Sequence, residues 1–321
     1  MSDPLAGLAE TAVDELVMEA QRTSRRHFPP EIVFAAPSQK HYDTGVYQNR
    51  RKTFMTLSVT GEACALGCEH CGTKVLQGML TVNTPARFGR VAAALADGGT
   101  EGVLVSGGCL DDGSVPLDRF LENIAELKAQ GLKVLVHTGI VRPAVAQGLK
   151  AAGVDQVLLD IIGDNDTIRE VYHLQRTTES YREALAILRD AGLAAVPHVV
   201  IGLHFGRLRG EWEALRMISQ EGAAQLVLVV LQPLPGTGMA GVPAISGEEV
   251  GRILAGSRLL MPRMPISLGC AKPPGAEKRL MERYAVEVGV QSVAYPLPET
   301  VRHAESLGMT VRYHEQCCSL I

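Results

Sequence analysis

Three cysteines stand close together in this sequence at a spacing suited to iron chemistry. Cys64, Cys68 and Cys71 form a C-x3-C-x2-C pattern within the run TGEACALGCEHCG. Three thiolates on one compact loop can hold three irons of a [4Fe–4S] cluster and leave the fourth iron open to another ligand. A structural zinc site usually has four ligands in paired C-x2-C units, so zinc with His70 as the fourth ligand matches this loop poorly.

The other four of the seven cysteines are spread along the chain: Cys109, Cys270, Cys317 and Cys318. An odd total excludes complete internal disulfide pairing, and in a reducing cytoplasm clustered cysteines are more often metal ligands or catalytic groups. If the chain folds as a barrel, a C-terminal tail folded over the mouth of that barrel would bring these four thiols together as a second, auxiliary Fe–S site. The alternative is that they are buried small side chains or spare thiols.

Composition narrows the range of partners. The 321 residues include 31 basic and 35 acidic side chains, a net charge of −4, whereas nucleic-acid-binding domains are usually basic. The first residues show no signal-peptide pattern, and no uncharged apolar stretch approaches the ~18 residues that span a bilayer. We expect a cytoplasmic protein that binds neither membrane nor nucleic acid.

A regular alternation of strand and helix patterns begins at Thr53. Near-continuous Val/Ile/Leu runs indicate strands buried on both faces of a parallel sheet, and the helical patterns between them indicate βαβ units. The predicted strands are 54–59, 102–106, 133–137, 156–161, 195–201, 226–231, 266–268 and 292–294.

Eight such units predict an α/β fold, a (β/α)8 TIM-like barrel over residues 53–296, which agrees with the ~250 residues such a barrel takes. An open doubly wound sheet would carry a glycine-rich phosphate turn after its first strand, where this chain has the cysteine loop. We expect residues 1–52 to be an N-terminal extension and residues 297–321 to be a short tail over the barrel mouth.

Function in such a barrel resides at the carboxyl ends of the strands. Small, polar or sulfur-bearing residues occupy these ends: Ser106, Gly107, Gly108, Cys109, His137, Asp160, His198, Gly202, His204 and Cys270. Two ordinary structural roles stay open. Asp160 could cap a helix, and each of the three histidines could be a hydrogen-bonded core residue.

The cysteine loop after the first strand resembles the radical S-adenosylmethionine (SAM) superfamily, and the resemblance covers residues 53–296. It implies that Cys64, Cys68 and Cys71 are the catalytic cluster ligands. In that family the open iron chelates the amino and carboxylate groups of SAM. Reductive cleavage of SAM then gives a 5′-deoxyadenosyl radical that abstracts hydrogen from unactivated carbon.

Further positions follow from this resemblance. Ser106, Gly107 and Gly108 resemble the glycine motif that meets the methionyl amine, although the glutamate usual at the next position is Cys109 here. Asp160 corresponds to a ribose or substrate contact, and the stretch VIGL that contains Gly202 resembles the adenine-contacting strand. His137, His198 and His204 share the strand-end location and complete the candidate cofactor-binding set.

A second cluster in a full barrel resembles the sulfur-inserting enzymes biotin synthase and lipoyl synthase, in which an auxiliary cluster gives up a sulfide. The segments 137–139, 159–163 and 197–206 and the Cys-Cys-Ser tail resemble the two-component lipoyl synthase family. Ordinary lipoyl synthase has its auxiliary cysteines in an N-terminal motif, and residues 1–63 of this chain contain no cysteine.

The resemblance implies a radical SAM sulfurtransferase that inserts sulfur into C–H bonds of a protein-bound octanoyl chain. Its cofactors would be a [4Fe–4S] cluster with an open iron, SAM and an auxiliary Fe–S cluster. Its partners would be an octanoylated lipoyl-carrier protein or peptide, a companion radical SAM paralogue, and ferredoxin or flavodoxin as electron donor. The alternatives are a biotin synthase-like enzyme with another substrate, a single-cluster radical SAM enzyme without sulfur insertion, and a non-catalytic metal-binding scaffold.

Overall fold

A single curled sheet of eleven parallel strands lies at the centre of the protein; the computed structural model describes residue 7 and residues 11–321. The strands are β1 (Glu31–Ala35), β2 (Phe54–Ser58), β3 (Leu80–Thr81), β4 (Gly102–Ser106), β5 (Lys133–His137), β6 (Gln156–Asp160), β7 (Ala195–Ile201), β8 (Leu226–Val230), β9 (Ile266–Leu268), β10 (Ser292–Ala294) and β11 (Thr310–His314).

All eight predicted strands are present, as β2 and β4 to β10, and the TIM-like fold is confirmed. The strand order is β11-β1-β10-β9-β8-β7-β6-β5-β4-β2-β3. The sheet therefore has two edges, β11 and β3, and no strand pairing joins them in the described part of the chain. The carboxyl ends of β2 and β4 to β10 lie along one rim, which is the barrel mouth.

In the described part of the chain, ten α-helices flank the sheet: α1 (Val13–Arg25), α2 (Pro85–Asp97), α3 (Leu121–Ala129), α4 (Pro143–Ala152), α5 (Asn165–Val171), α6 (Thr178–Asp190), α7 (Glu211–Glu221), α8 (Gly247–Leu260), α9 (Ala276–Val288) and α10 (Pro298–Ser306). Local chemistry sets several of these ends. Ser246 and Glu249 form a capping box at the start of α8, and Gly153 ends α4 in the left-handed conformation with φ 74°. None of the helices in the described ranges is long and apolar enough to cross a membrane.

The N-terminal residues take part in the sheet. β1 lies between β10 and β11, and α1 packs on α8 and α9. After β1, the Ser38 hydroxyl donates to the Phe54 carbonyl at 2.8 Å and accepts from the Phe54 amide at 2.9 Å. This pair of hydrogen bonds ties the segment after β1 to the first residue of β2.

Residues 318 and 319 of the C-terminal tail are hydrogen-bonded to the interior of the barrel. The Cys318 carbonyl accepts hydrogen bonds from Gln225, just before β8, and from Ser267 in β9. The Ser319 carbonyl accepts from Gln156, the first residue of β6. These donors lie at or near the amino ends of their strands, so residues 318 and 319 fill the interior below the mouth. The physical reason is that buried glutamine amides need acceptors, which the tail backbone supplies.

Candidate active site

The loop after β2 presents three free thiols, those of Cys64, Cys68 and Cys71. A tight turn shapes it, because the amides of Cys71 and Gly72 both donate to the Cys68 carbonyl. The sulfurs of Cys68 and Cys71 and a ring nitrogen of His70 lie within 4.8 Å of one another. A hydrogen bond with Cys68 lowers the pKa of the Cys71 thiol to about 7, and backbone donation from Thr73 adds to this effect against the cost of burial.

The loop after β4 packs directly on the cysteine loop. The Gly108 amide donates to the Thr60 hydroxyl at 2.7 Å. A β-carbon at Gly108 would lie 2.0 Å from the Ala63 carbonyl oxygen and 2.6 Å from the Cys64 β-carbon, so only glycine fits there. This contact explains why the glycine pair follows β4 directly.

Both loops border one cavity of about 560 Å³. Its polar and sulfur-bearing wall comprises Cys64, Cys68, Cys71, Ser106, Gly107, Gly108, Cys109, His137 and Asp160. Three strand ends, those of β4, β5 and β6, thus bring their predicted residues to the three-cysteine loop. The apolar part of the wall includes Leu66, Leu104 and Val115.

His137 and Asp160, the last residues of β5 and β6, form a group with His198, which the sequence analysis placed at a strand end but which lies in the middle of β7. The Nε2 atom of His137 lies 3.6 Å from Oδ1 of Asp160, and the two imidazole rings are 6.0 Å apart. Burial raises the pKa of Asp160, but the neighbouring His137 and then His198 outweigh it and hold the value at about 2. Burial, reinforced by His137, lowers the pKa of His198 to about 4. At neutral pH the group therefore contains a carboxylate and a neutral His198.

Two of the ordinary roles left open by the sequence are decided by the structure. The helix after β6 is capped by Asp164, whose side chain accepts from the Thr167 amide, so Asp160 is not the cap. His204 has its Nδ1 atom 3.1 Å from the Thr167 hydroxyl and its Nε2 atom 3.3 Å from Arg209. His204 is a hydrogen-bonded structural residue and is absent from the cavity wall described above.

Gly202 also lies outside that wall. Its amide donates to the buried carboxylate of Glu211 at 2.8 Å, and the Arg209 amide donates to the other oxygen of the same carboxylate. Glu211 was not predicted from the sequence, since a glutamate at the start of a helix is typical of a helix N-terminus. Here it holds the turn after β7 in place.

The four remaining thiols divide between two locations. Cys109 borders the cavity of the three-cysteine loop, whereas Cys270 borders a second cavity of about 360 Å³. Cys270 is exposed to solvent, whereas Cys318 is buried. A hydrogen bond from Cys318 lowers the pKa of Cys317 to about 6. Within the described residues, no three of these four thiols lie within 4.8 Å of one another.

Lys40 connects the two cavities, because it contributes to the wall of both. It comes from the segment between β1 and β2, and its ammonium group lies 5.5 Å from the centre of the Tyr295 ring. Lys40 was not predicted from the sequence, because it lies in a polar stretch without periodicity. The second cavity also contains Lys272, which is almost completely buried.

The wall of the larger cavity fits an Fe–S cluster. Three free thiols from one loop face it, and the buried Nδ1 atom of His70 in the same wall has no hydrogen-bond partner. Buried polar atoms without partners are rare, so this atom indicates that the wall is complete only with a further group present.

Comparisons with known proteins identify a family model and several proteins that this chain is similar to. The sequence model described as "Radical SAM superfamily" matches residues 58–218. The biotin synthase of Alkalilimnicola ehrlichii is 26% identical over 306 residues, covering 91% of this chain and 84% of that protein. The biotin synthase of Halorhodospira halophila is 26% identical over 280 residues, covering 83% and 77%.

Two solved structures share the fold. Methylornithine synthase superposes with a TM-score of 0.63 at 16% identity, covering 93% of this chain and 89% of that one. The [FeFe]-hydrogenase maturase of Carboxydothermus hydrogenoformans superposes with a TM-score of 0.65 at 16% identity, covering 96% and 74%.

Proposed function

Because the chain belongs to the radical SAM superfamily and is a biotin synthase-like radical SAM enzyme, we propose that it inserts sulfur into an octanoyl chain carried by a lipoyl-carrier protein or peptide. The observation that carries this proposal is that two adjoining cavities both have cysteine thiols in their walls. One cavity has Cys64, Cys68 and Cys71 in its wall, the other has Cys270, and Lys40 borders both.

The first cavity serves radical generation. Cys64, Cys68 and Cys71 would hold three irons of the cluster, which with bound SAM supplies the 5′-deoxyadenosyl radical. Gly107 and Gly108 let the loop after β4 pack directly against the cysteine loop, because a β-carbon on Gly108 would overlap Ala63 and Cys64. Leu66 and Leu104 exclude water from the space in which a carbon radical must survive.

Asp160 faces that space, and His198 lies beside Asp160 on the neighbouring strand, outside the cavity wall. The Asp160 carboxylate is charged at neutral pH and can accept a hydrogen bond from a ribose hydroxyl of SAM. The Nδ1 atom of His198 lies 3.1 Å from the Val196 carbonyl and donates to it, which leaves Nε2 as an acceptor. Neither group transfers a proton during radical formation; both fix the orientation of what they bind.

The second cavity serves sulfur donation. Cys270, with Cys317 and Cys318 behind it, would hold the auxiliary Fe–S cluster that gives up a sulfide. Lys40 and Lys272 contribute positive charge beside these thiols, which favours their thiolate forms. A carbon radical formed in the first cavity would meet the sulfide by proximity, before solvent or protein hydrogen could quench it.

The partners in this proposal are those implied by the resemblance to the two-component lipoyl synthase family. The octanoylated carrier protein presents the substrate, a companion radical SAM paralogue adds the other sulfur, and ferredoxin or flavodoxin supplies the electron. The net charge of −4 is compatible with these partners and leaves the choice among them to experiment.

The decisive experiment is anaerobic reconstitution followed by turnover on an octanoyl-lysine peptide. We expect about eight irons per chain, or about six with a two-iron auxiliary cluster, and a product mass increased by one or two sulfurs. Cys317→Ala/Cys318→Ala should retain the first four irons and the formation of 5′-deoxyadenosine but lose sulfur insertion. About four irons in the wild type would contradict the auxiliary cluster.

A second candidate function is supported by the biotin synthases found in the comparisons. In that case the enzyme would insert sulfur into a biotin precursor instead of an octanoyl chain. Both substrates belong in the same assay, and sulfur found only in the biotin precursor would replace the first proposal with the second. Failure to convert SAM to 5′-deoxyadenosine would leave only the metal-binding scaffold.

A further inference from the structure

Four thiols, one more than the cluster motif requires, border the larger cavity. Cys64, Cys68 and Cys71 come from the loop after β2, and Cys109 comes from the loop after β4. Cys109 is half-buried, and its sulfur would lie 3.5 Å from a β-carbon placed on Gly139. Its surroundings therefore include the loop after β5 as well as the cysteine loop.

The backbone fixes Cys109 relative to Cys64. The carbonyl of Cys109 accepts from the Ala65 amide at 2.8 Å, directly after Cys64 in the chain. On the other side, the Leu110 amide donates to the Ser114 carbonyl at 2.8 Å. Together with the close packing of Gly108, these bonds hold Cys109 beside the cluster loop at a defined position.

The electrostatic surroundings of Cys109 suit a metal-bound sulfur. Cys109 shares its cavity with the Asp160 carboxylate and the thiols of Cys64, Cys68 and Cys71. A thiolate at this position needs a cation beside it, and a bound metal ion removes the proton from a coordinating thiol. Independently, the buried Nδ1 atom of His70 in the same wall has no partner, which marks this cavity as a ligand site.

We infer that Cys109 is a displaceable fourth ligand of the SAM cluster: its thiolate occupies the open iron while SAM is absent and leaves when SAM binds. The inference rests on the three-cysteine cluster of the proposed function and is independent of sulfur insertion. The exchange breaks the iron–sulfur bond to Cys109 and forms the bonds from the SAM amino and carboxylate groups. No electron moves, and the proton lost by the SAM ammonium group passes to the departing thiolate.

Cys109 would thereby protect the open iron. A [4Fe–4S] cluster with three protein ligands loses its unliganded iron on mild oxidation and becomes a [3Fe–4S] cluster with a distinct electron paramagnetic resonance signal. A fourth ligand should slow this loss as long as SAM is absent. Bound SAM should give the same protection by itself.

The test compares reconstituted wild type with Cys109→Ala and Cys109→Ser, using Leu110→Ala, an exposed neighbour, as the control. Without SAM, we expect limited ferricyanide to produce the [3Fe–4S] signal at least about fivefold faster in Cys109→Ala than in wild type or the control. With SAM the rates should converge. Equal rates without SAM would overturn the inference.

Equilibrium binding of SAM gives a second readout that does not depend on activity. Because wild type must first release Cys109, its apparent affinity is reduced by the fraction of the cluster in which that ligand is bound. Cys109→Ala should therefore bind SAM at least about fivefold more tightly than wild type. Equal or weaker binding in the variant would count against the inference.

The iron content after reconstitution distinguishes a failure of the proposed function from a failure of the inference about Cys109. If wild type itself holds no four-iron SAM cluster, the proposed function fails together with this inference. If only the Cys109 variants fail to assemble the cluster, Mössbauer spectroscopy of SAM-free wild type decides. Four sulfur-ligated irons support the inference, whereas one iron with non-sulfur ligation overturns it.

Discussion

Gly108 packs against Ala63 so closely that a β-carbon on Gly108 would lie 2.0 Å from the Ala63 carbonyl oxygen. We predict that Gly108→Ala pushes the cysteine loop away from the loop after β4, at a cost of about 1–3 kcal/mol in stability. Because the loop carries Cys64, Cys68 and Cys71, the cluster ligands of the proposed function, the SAM cluster should be lost in part or completely. Iron and sulfide analysis after reconstitution measures this loss.

The control for this prediction is Gly241→Ala. Gly241 has no atom within 4 Å of the position a β-carbon would take, and its φ lies outside the left-handed region. It should keep the full iron content. A Gly108→Ala variant with wild-type iron content would show that the loop adapts without losing the cluster.

Asp160 should contribute to SAM binding through its charge. In Asp160→Asn the shape is conserved, but the carboxylate beside His137 is lost. A hydrogen bond to a charged group contributes about 1.5–3 kcal/mol, so the dissociation constant for SAM should rise at least about tenfold while the iron content stays constant. Equilibrium binding of SAM to the reconstituted variant measures this effect.

His204→Gln is the matched control for Asp160, because His204 bonds to Thr167 and lies outside the cavity wall. Its SAM affinity should stay within about twofold of wild type, since the substitution changes no group in the site. If both variants bind SAM equally well, the predicted role of Asp160 is wrong.

Lys272 and Glu282 form a fully buried ion pair behind the second cavity, with 3.7 Å between Nζ and Oε1. Lys272 also donates to the Gly269 and Ala294 carbonyls at 2.9 and 2.6 Å. Lys272→Met leaves the buried Glu282 carboxylate with Lys278 as its remaining partner, 3.6 Å away, so the free energy of unfolding should fall by at most about 3–5 kcal/mol. Urea denaturation measures it.

Two further variants serve as controls for Lys272→Met. Lys133→Met removes an exposed ion pair with Asp155 and should cost less than about 1 kcal/mol. Lys272→Met/Glu282→Gln removes both buried charges and should recover part of the stability lost in the single variant. Equal losses from the exposed and the buried lysine would mean that the buried pair is not a source of stability.

His198 should make stability depend on pH. Its pKa is about 4 in the folded protein and about 6.5 when unfolded, so the unfolded state binds more protons between these values. The stabilising effect of neutral His198 is complete above pH 6.5 and is lost as the pH falls toward 4. Between pH 7 and pH 5 wild type should lose about 2 kcal/mol through this residue.

Urea denaturation of wild type and His198→Gln at pH 7 and pH 5, in the same metal state, measures this effect. Glutamine does not titrate, so the variant should lose about 2 kcal/mol less than wild type over this interval. Parallel pH dependence in the two proteins would show that His198 is not the group responsible.

Local patterns in the sequence predicted the cysteine loop and the strands of the barrel. The spacing of Cys64, Cys68 and Cys71 places three thiols on one loop whatever surrounds it, and the apolar runs predict all eight barrel strands because strands buried on both faces need such runs. β1 (Glu31–Ala35) was not predicted, because it lies in the N-terminal stretch without periodicity and owes its place to pairing with β10 and β11 from the other end of the chain.

The sequence by itself therefore determined the cysteine loop, the barrel and the family. Tertiary structure alone decided which distant residues meet. Cys109 joins the three-cysteine cavity while Cys270 borders another, Lys40 reaches both, and Cys318 lies inside the barrel. The physical reason is that these contacts join residues tens to hundreds of positions apart in the chain. They depend on the curl of the sheet and on the hydrogen-bond acceptors that buried donors need. Neither the curl nor the pairing of donors with acceptors produces a periodic pattern in the sequence.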